Sequence, residues 1–164
     1  MKEDVRKAAV ARVTGVAAIL ALAVWLGGLV ALGAVAAPVV FGTVAMPAAA
    51  DAMTTVFRRF DVVAMACATI VLLAEAARVL ARVPYARADH ARAGLSVVAA
   101  GLAVWEGARV SPRIAHLHFA GAVRGLGPAG MELDRLHDLA ETIGKAEVVV
   151  LALVLGLHAW RAWS

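Results

Sequence analysis

Charged positions divide this chain into four apolar stretches. The first, residues 13–50, runs 38 residues without an acid, lysine or arginine. About 20 apolar residues cross a bilayer, so this stretch spans with length to spare. Pro38 and Pro47 mark where regular helix should stop or kink. The other uncharged runs, 62–74, 93–105 and 148–160, hold 13 residues each. Each is too short alone and must recruit flanking charges: Glu75 and Arg78, Glu106 and Arg109, Lys145 and Glu147. Spans are therefore expected near 13–38, 57–81, 92–110 and 143–161, in one membrane domain over residues 1–164. The fold class is all-α: a polytopic membrane protein, a four-transmembrane-helix bundle with its backbone groups paired within helices.

The segments between spans are more polar. Residues 42–60 read as a short helical connection, 82–92 as a basic turn, and 111–130 as a longer connection carrying Ser111, Pro112, Arg113, His116 and His118. After Pro128, the spacing of Leu133, Leu136, Ala140 and Ile143 predicts an amphipathic helix. Nothing but Gly144 interrupts it, so residues 128–161 are expected to form one helix, an amphipathic extension leading into the last span. The string Leu22-Ala23-Val24-Trp25-x-Gly27 recurs as Leu102-Ala103-Val104-Trp105-x-Gly107; both a duplicated helix pair and chance in an Ala-, Leu- and Val-rich chain account for it.

Composition agrees with the pattern. The chain is 63% hydrophobic and 17% charged, against about 25% charged in soluble domains. Its net charge of +4 has no basic block interleaved with aromatics, so no nucleic-acid partner is expected. The basic residues instead orient the helices and meet anionic lipid. Nine of the 16 lysines and arginines fall on the side of the termini and the second connection, which puts both termini in the cytoplasm of a bacterial inner membrane. The basic start (Lys2, Arg6, Lys7, Arg12) precedes an uncharged run far longer than the roughly 7–15 residues of a signal peptide core, and reads as an uncleaved first helix.

Candidate chemistry is sparse. Cys67 stands alone, which excludes an internal disulfide and a cysteine-rich zinc site. No nucleophile–histidine–acid arrangement and no phosphate loop is evident, so no catalytic residue, cofactor or metal is assigned and the chain is read as a non-enzyme. His116 and His118 can chelate a metal only if that segment is extended; on a helix their rings diverge. His158 reads as an interfacial anchor beside Trp160 and Trp163. Acids within a span need a partner, and Glu75–Arg78 and Glu106–Arg109 are spaced to supply one locally. Arg113, His137, Glu106 and Glu147 fall together on the extracytoplasmic side as a candidate polar site. Trp25, Gly27, Gly28, Pro38 and Phe41 are the candidate helix-packing positions, with Ala23, Gly27 and Ala31 forming a small-residue face.

Trp25-Leu26-Gly27-Gly28, Ala37-Pro38-Val39-Val40-Phe41, Ser111-Pro112-Arg113-Ile114 and Leu136-His137, in that order, resemble the transmembrane protein 205-like family of four-helix membrane proteins, whose biochemical function is uncharacterised. The family's serine three residues after the Leu-His is Ala140 here. The opening Trp-x-Gly-Gly and proline also look like the copper-resistance D family, without matching metal ligands. The resulting expectation is a non-catalytic accessory or structural subunit, partnered by membrane lipid and by other membrane subunits or its own copies. The alternative is a small transporter or metal-handling protein.

Overall fold

The computed structural model describes the backbone of residues 2–163 and the side chains of residues 2–160. Four long helices account for nearly all of it, and no strand occurs among the described residues. They are α1 (Lys2–Thr43), α2 (Ala48–Leu80), α3 (Arg87–Phe119) and α4 (Gly127–Trp163). All four are long and apolar enough to cross a membrane. Each packs on its neighbours in sequence, and α4 closes back on α1, giving an up-down-up-down bundle. Residues 44–47 and 120–126 lie at one end, termed the upper face; residues 81–86, the start of α1 and the end of α4 lie at the lower face.

The helices outrun the spans expected from charge alone. Pro38 does not end α1. The preceding turn, Ala31–Ala36, widens into a π-helix and the chain continues to Thr43. A proline lacks the N–H and crowds the carbonyl four residues back, and a widened turn makes room for it. The same device recurs in α3, where the π turn Glu106–Val110 precedes Pro112. Residues 111–119 are therefore helix rather than connection. The segment 48–60 likewise belongs to α2. Gly144 leaves α4 unbroken, and its 37 residues extend some 55 Å, beyond the ~30 Å hydrocarbon core.

The core is built from small residues with a few large ones: Ala21, Leu22, Trp25, Ala64, Cys67, Ala68, Val71, Ala99, Ala100, Ala103, Leu151 and Val154. Alanines let the backbones approach closely. Gly28 permits a close approach within the core, since a Cβ there would sit 2.2 Å from the Phe60 ring. The outer surface is a belt of exposed Val and Leu, including Leu20, Val24, Leu73, Val97 and Leu153. Soluble monomers do not expose apolar surface so extensively, whereas lipid accepts it. The repeated Trp-x-Gly string occupies unlike surroundings, with Trp25 1% exposed and Trp105 50% exposed.

Candidate functional site: two polar layers around an apolar core

Two polar layers bracket the core. Asp61 and Glu75 lie 14 residues apart on α2, and Arg92 and Glu106 lie 14 apart on α3. At ~1.5 Å per residue the layers are about 21 Å apart.

The lower layer is charge-balanced. Arg92 Nε and Nη2 donate to both oxygens of Glu75, at 2.7 and 3.0 Å, and Arg92 Nη1 donates to Asp89 at 2.7 Å. Asp89 also accepts from the Ala86 N–H at 2.8 Å, capping the start of α3, and faces Arg78 at 3.9 Å. Tyr85, in the connection, donates to Glu75 at 2.9 Å. Burial pushes the Tyr85 hydroxyl above its usual range, and the Glu75 carboxylate adds to the shift. Glu75 therefore pairs across helices with Arg92, not within α2 with Arg78, because Arg92 reaches it with two parallel bonds. His158 is buried with Nε2 3.8 Å from Glu75, rather than anchoring at the interface. Arg161, one of the nine basic residues on the side of the termini, and Trp163, an expected interfacial anchor, lie outside the described side chains.

The upper layer is acidic and unbalanced. Asp61 of α2, Glu106 of α3 and Glu147 of α4 come close enough to sense one another's charge. The π turn places Glu106 here: its neighbour Gly107 abuts Asp61 and Met65, where an added Cβ would lie 3.3–3.4 Å from them. The same wide turn rotates Arg109 outward, and no ion pair joins it to Glu106 among the described residues. The Ser111 hydroxyl lies beside Asp61. Glu147 is 2% exposed and its Oε1 has no hydrogen-bond partner. The Trp25 indole N–H lies beside Glu147 without completing a hydrogen bond.

The four residues of the expected polar site thus divide. Glu106 and Glu147 lie inside the bundle within range of each other's charge. Arg113 is at the exposed edge, bonded twice to Glu132 at 2.7 and 2.9 Å. His137 donates from Nδ1 to the Leu133 carbonyl one turn back on its own helix. His116 and His118 lie on a helix, and His118 Nε2 donates to Asp51 at 2.7 Å. Among the packing candidates, Trp25 is buried and Gly28 meets Phe60, while Gly27, Pro38 and Phe41 are exposed. Sequence reasoning missed Asp61, which reads as the boundary of the run 62–74. The signal was there: its distance to Glu75 equals that from Arg92 to Glu106.

Among the described residues no group of three histidine, cysteine or acidic side chains is arranged to hold a metal ion. Carboxylates within range of one another's charge can instead take up protons.

The four apolar helices and their buried polar layers define a multi-pass helical membrane protein. Residues 20–122 match the family model described as a domain of unknown function, DUF4149, and the chain belongs to that family. No curated protein and no solved structure matched the chain.

Proposed function

We infer that this chain is a non-catalytic subunit of a membrane assembly, whose acidic centre takes up and releases protons at one membrane face. The observation that carries the reading is the trio Asp61, Glu106 and Glu147, with Glu147 Oε1 unpartnered inside the bundle. Acids in a spanning segment are expensive, and a trio that outnumbers its nearby cation, Arg58, persists by holding protons. The apolar layer between the two polar layers favours a proton-binding element over a complete conduit in one chain. The resemblance to the transmembrane protein 205-like family, the bacterial inner membrane and cytoplasmic termini belong to the same proposal. A partner is favoured by Ala23, Gly27 and Ala31, which face outward with open space beside Gly27. Small outward residues gain nothing from lipid but permit close helix contact.

Trp25 supplies the test. In a W105F/W160F/W163F background, Trp25 emission is titrated from acid to alkaline pH in nanodiscs. A transition that vanishes in Glu147→Gln is expected. An unchanged transition in that variant, or none in the parent, removes the reading. A metal-handling role competes with it, and stoichiometric copper or zinc on the purified chain would favour that role.

A further inference from the structure

Above the acidic centre, Arg58 and Phe119 are shared by two adjoining clefts. The larger, about 450 Å³, is completed by Pro112, Ala115, His116 and Ala120. The smaller, about 260 Å³, is completed by Thr55, Arg59 and Val62. The larger falls in the ~300–1,000 Å³ range of small-molecule sites. Several cations at this end of the bundle are held by acids. Arg113 is held by Glu132, Arg124 by Asp134 and Asp138, and Lys145 by Glu141. Arg58 and Arg59, like Arg109 and Arg135 at the same end, make no ion pair among the described residues; Arg58 lies within range of the Asp61 charge, and both cleft arginines are exposed. Below them α2 enters its uncharged run with Val62 63% exposed, and Phe119 stands 61% exposed between the clefts. Paired cations therefore sit directly above an apolar track, at the level where a span meets the membrane surface.

We propose that these clefts seat the phosphate of an anionic phospholipid, with Arg58 and Arg59 on the headgroup and an acyl chain against Phe119 and Val62. Two guanidiniums recognise phosphate oxygens bidentately. The apolar wall selects a lipid over a free anion, because only a lipid covers Val62 and Phe119 while its phosphate is held. The inference does not rest on proton handling, although Arg58 lies one turn above Asp61 and within range of its charge.

The full chain in detergent is offered phosphatidylglycerol and phosphatidylcholine at equal concentration, and bound lipids are counted by native mass spectrometry. Preference for phosphatidylglycerol is expected. It should fall about fivefold for each of R58Q and R59Q, following the worth of one basic residue at an anionic surface. R109Q/R135Q removes equal charge elsewhere and should keep the preference. F119A should weaken both lipids. R58K/R59K, which keeps the charges, checks that any loss is not misfolding, and should retain the preference for the anionic lipid. The proposal falls if R58Q/R59Q binds like the parent, or if R109Q/R135Q loses the preference equally. Displacement of phosphatidylglycerol by excess inorganic phosphate would make this a free-anion site and overturn the lipid assignment.

Discussion

Buried acids in this bundle have opposite energetic meanings. Glu75 is held by Arg92 through two charge-assisted bonds and by Tyr85 through a third. Removing one partner of such a pair strands the other charge, so Arg92→Ala should cost about 3–5 kcal/mol. Glu147 has an oxygen with no partner. Leaving a buried polar group unsatisfied costs about 1–3 kcal/mol, so Glu147→Leu should leave thermal stability unchanged or raise it. Melting curves of the two variants in one detergent check the contrast; a large loss for Glu147→Leu would mean that the carboxylate has a structural partner. Tyr85 adds a pH dependence. Its folded-state titration lies above the unfolded value near 10, so its contribution is fully present below that value and lost as pH rises through the folded one. Tyr85→Phe should abolish that alkaline loss and cost about 1.5 kcal/mol at neutral pH, the lower end for a bond to a charged group.

At the scale of elements, two helix ends use one motif with different residues. At the end of α2 the Arg82 N–H donates to the Val79 carbonyl and the Val83 N–H to that of Arg78, with Arg82 at φ 54°. At the end of α3 the Gly121 N–H donates to His118 and the Ala122 N–H to Leu117, with Gly121 at φ +84°. Both are Schellman closures, in which the left-handed residue suits glycine. Arg82→Gly should therefore raise stability by up to about 1 kcal/mol, and Gly121→Ala lower it by about 1 kcal/mol. Opposite shifts in melting temperature are the expected result; equal shifts would argue against a shared geometry. The neighbouring glycines of α1 provide a second pair. Gly28→Ala drives a Cβ into the Phe60 ring and should cost about 1–3 kcal/mol, whereas Gly27 has open space. Gly27→Leu should leave the isolated chain folded and weaken only association, which cross-linking in membranes measures.

For the whole molecule, a charge-balanced layer, an apolar core and an acidic layer are stacked along one bundle. Reporter fusions within 44–47 and 120–126 should report one compartment, and fusions within 81–86 the other. Agreement between 44–47 and 81–86 would overturn the four-span topology. The membrane class, the number of spans and the continuous last helix were legible because each rests on hydrophobic length and on period along one segment. The ends of the helices were less legible. Pro38 and Pro112 read locally as breaks, and the π turns that carry the chain through them leave no simple mark in composition.

The run of residues by itself determined the solvent, since four apolar runs, extended by their flanks to spanning length, suit lipid, and it determined that acids lie at the edges of those runs. It did not determine which charge meets which. Local spacing paired Glu75 with Arg78 and Glu106 with Arg109, because residues three apart on a regular helix are neighbours. Tertiary packing decided otherwise: antiparallel α2 and α3 bring Arg92 to Glu75, and the π turn swings Arg109 away while Glu106 joins Asp61 and Glu147. Such partners lie 17 to 86 residues apart in sequence and become neighbours only when four helices close on one core.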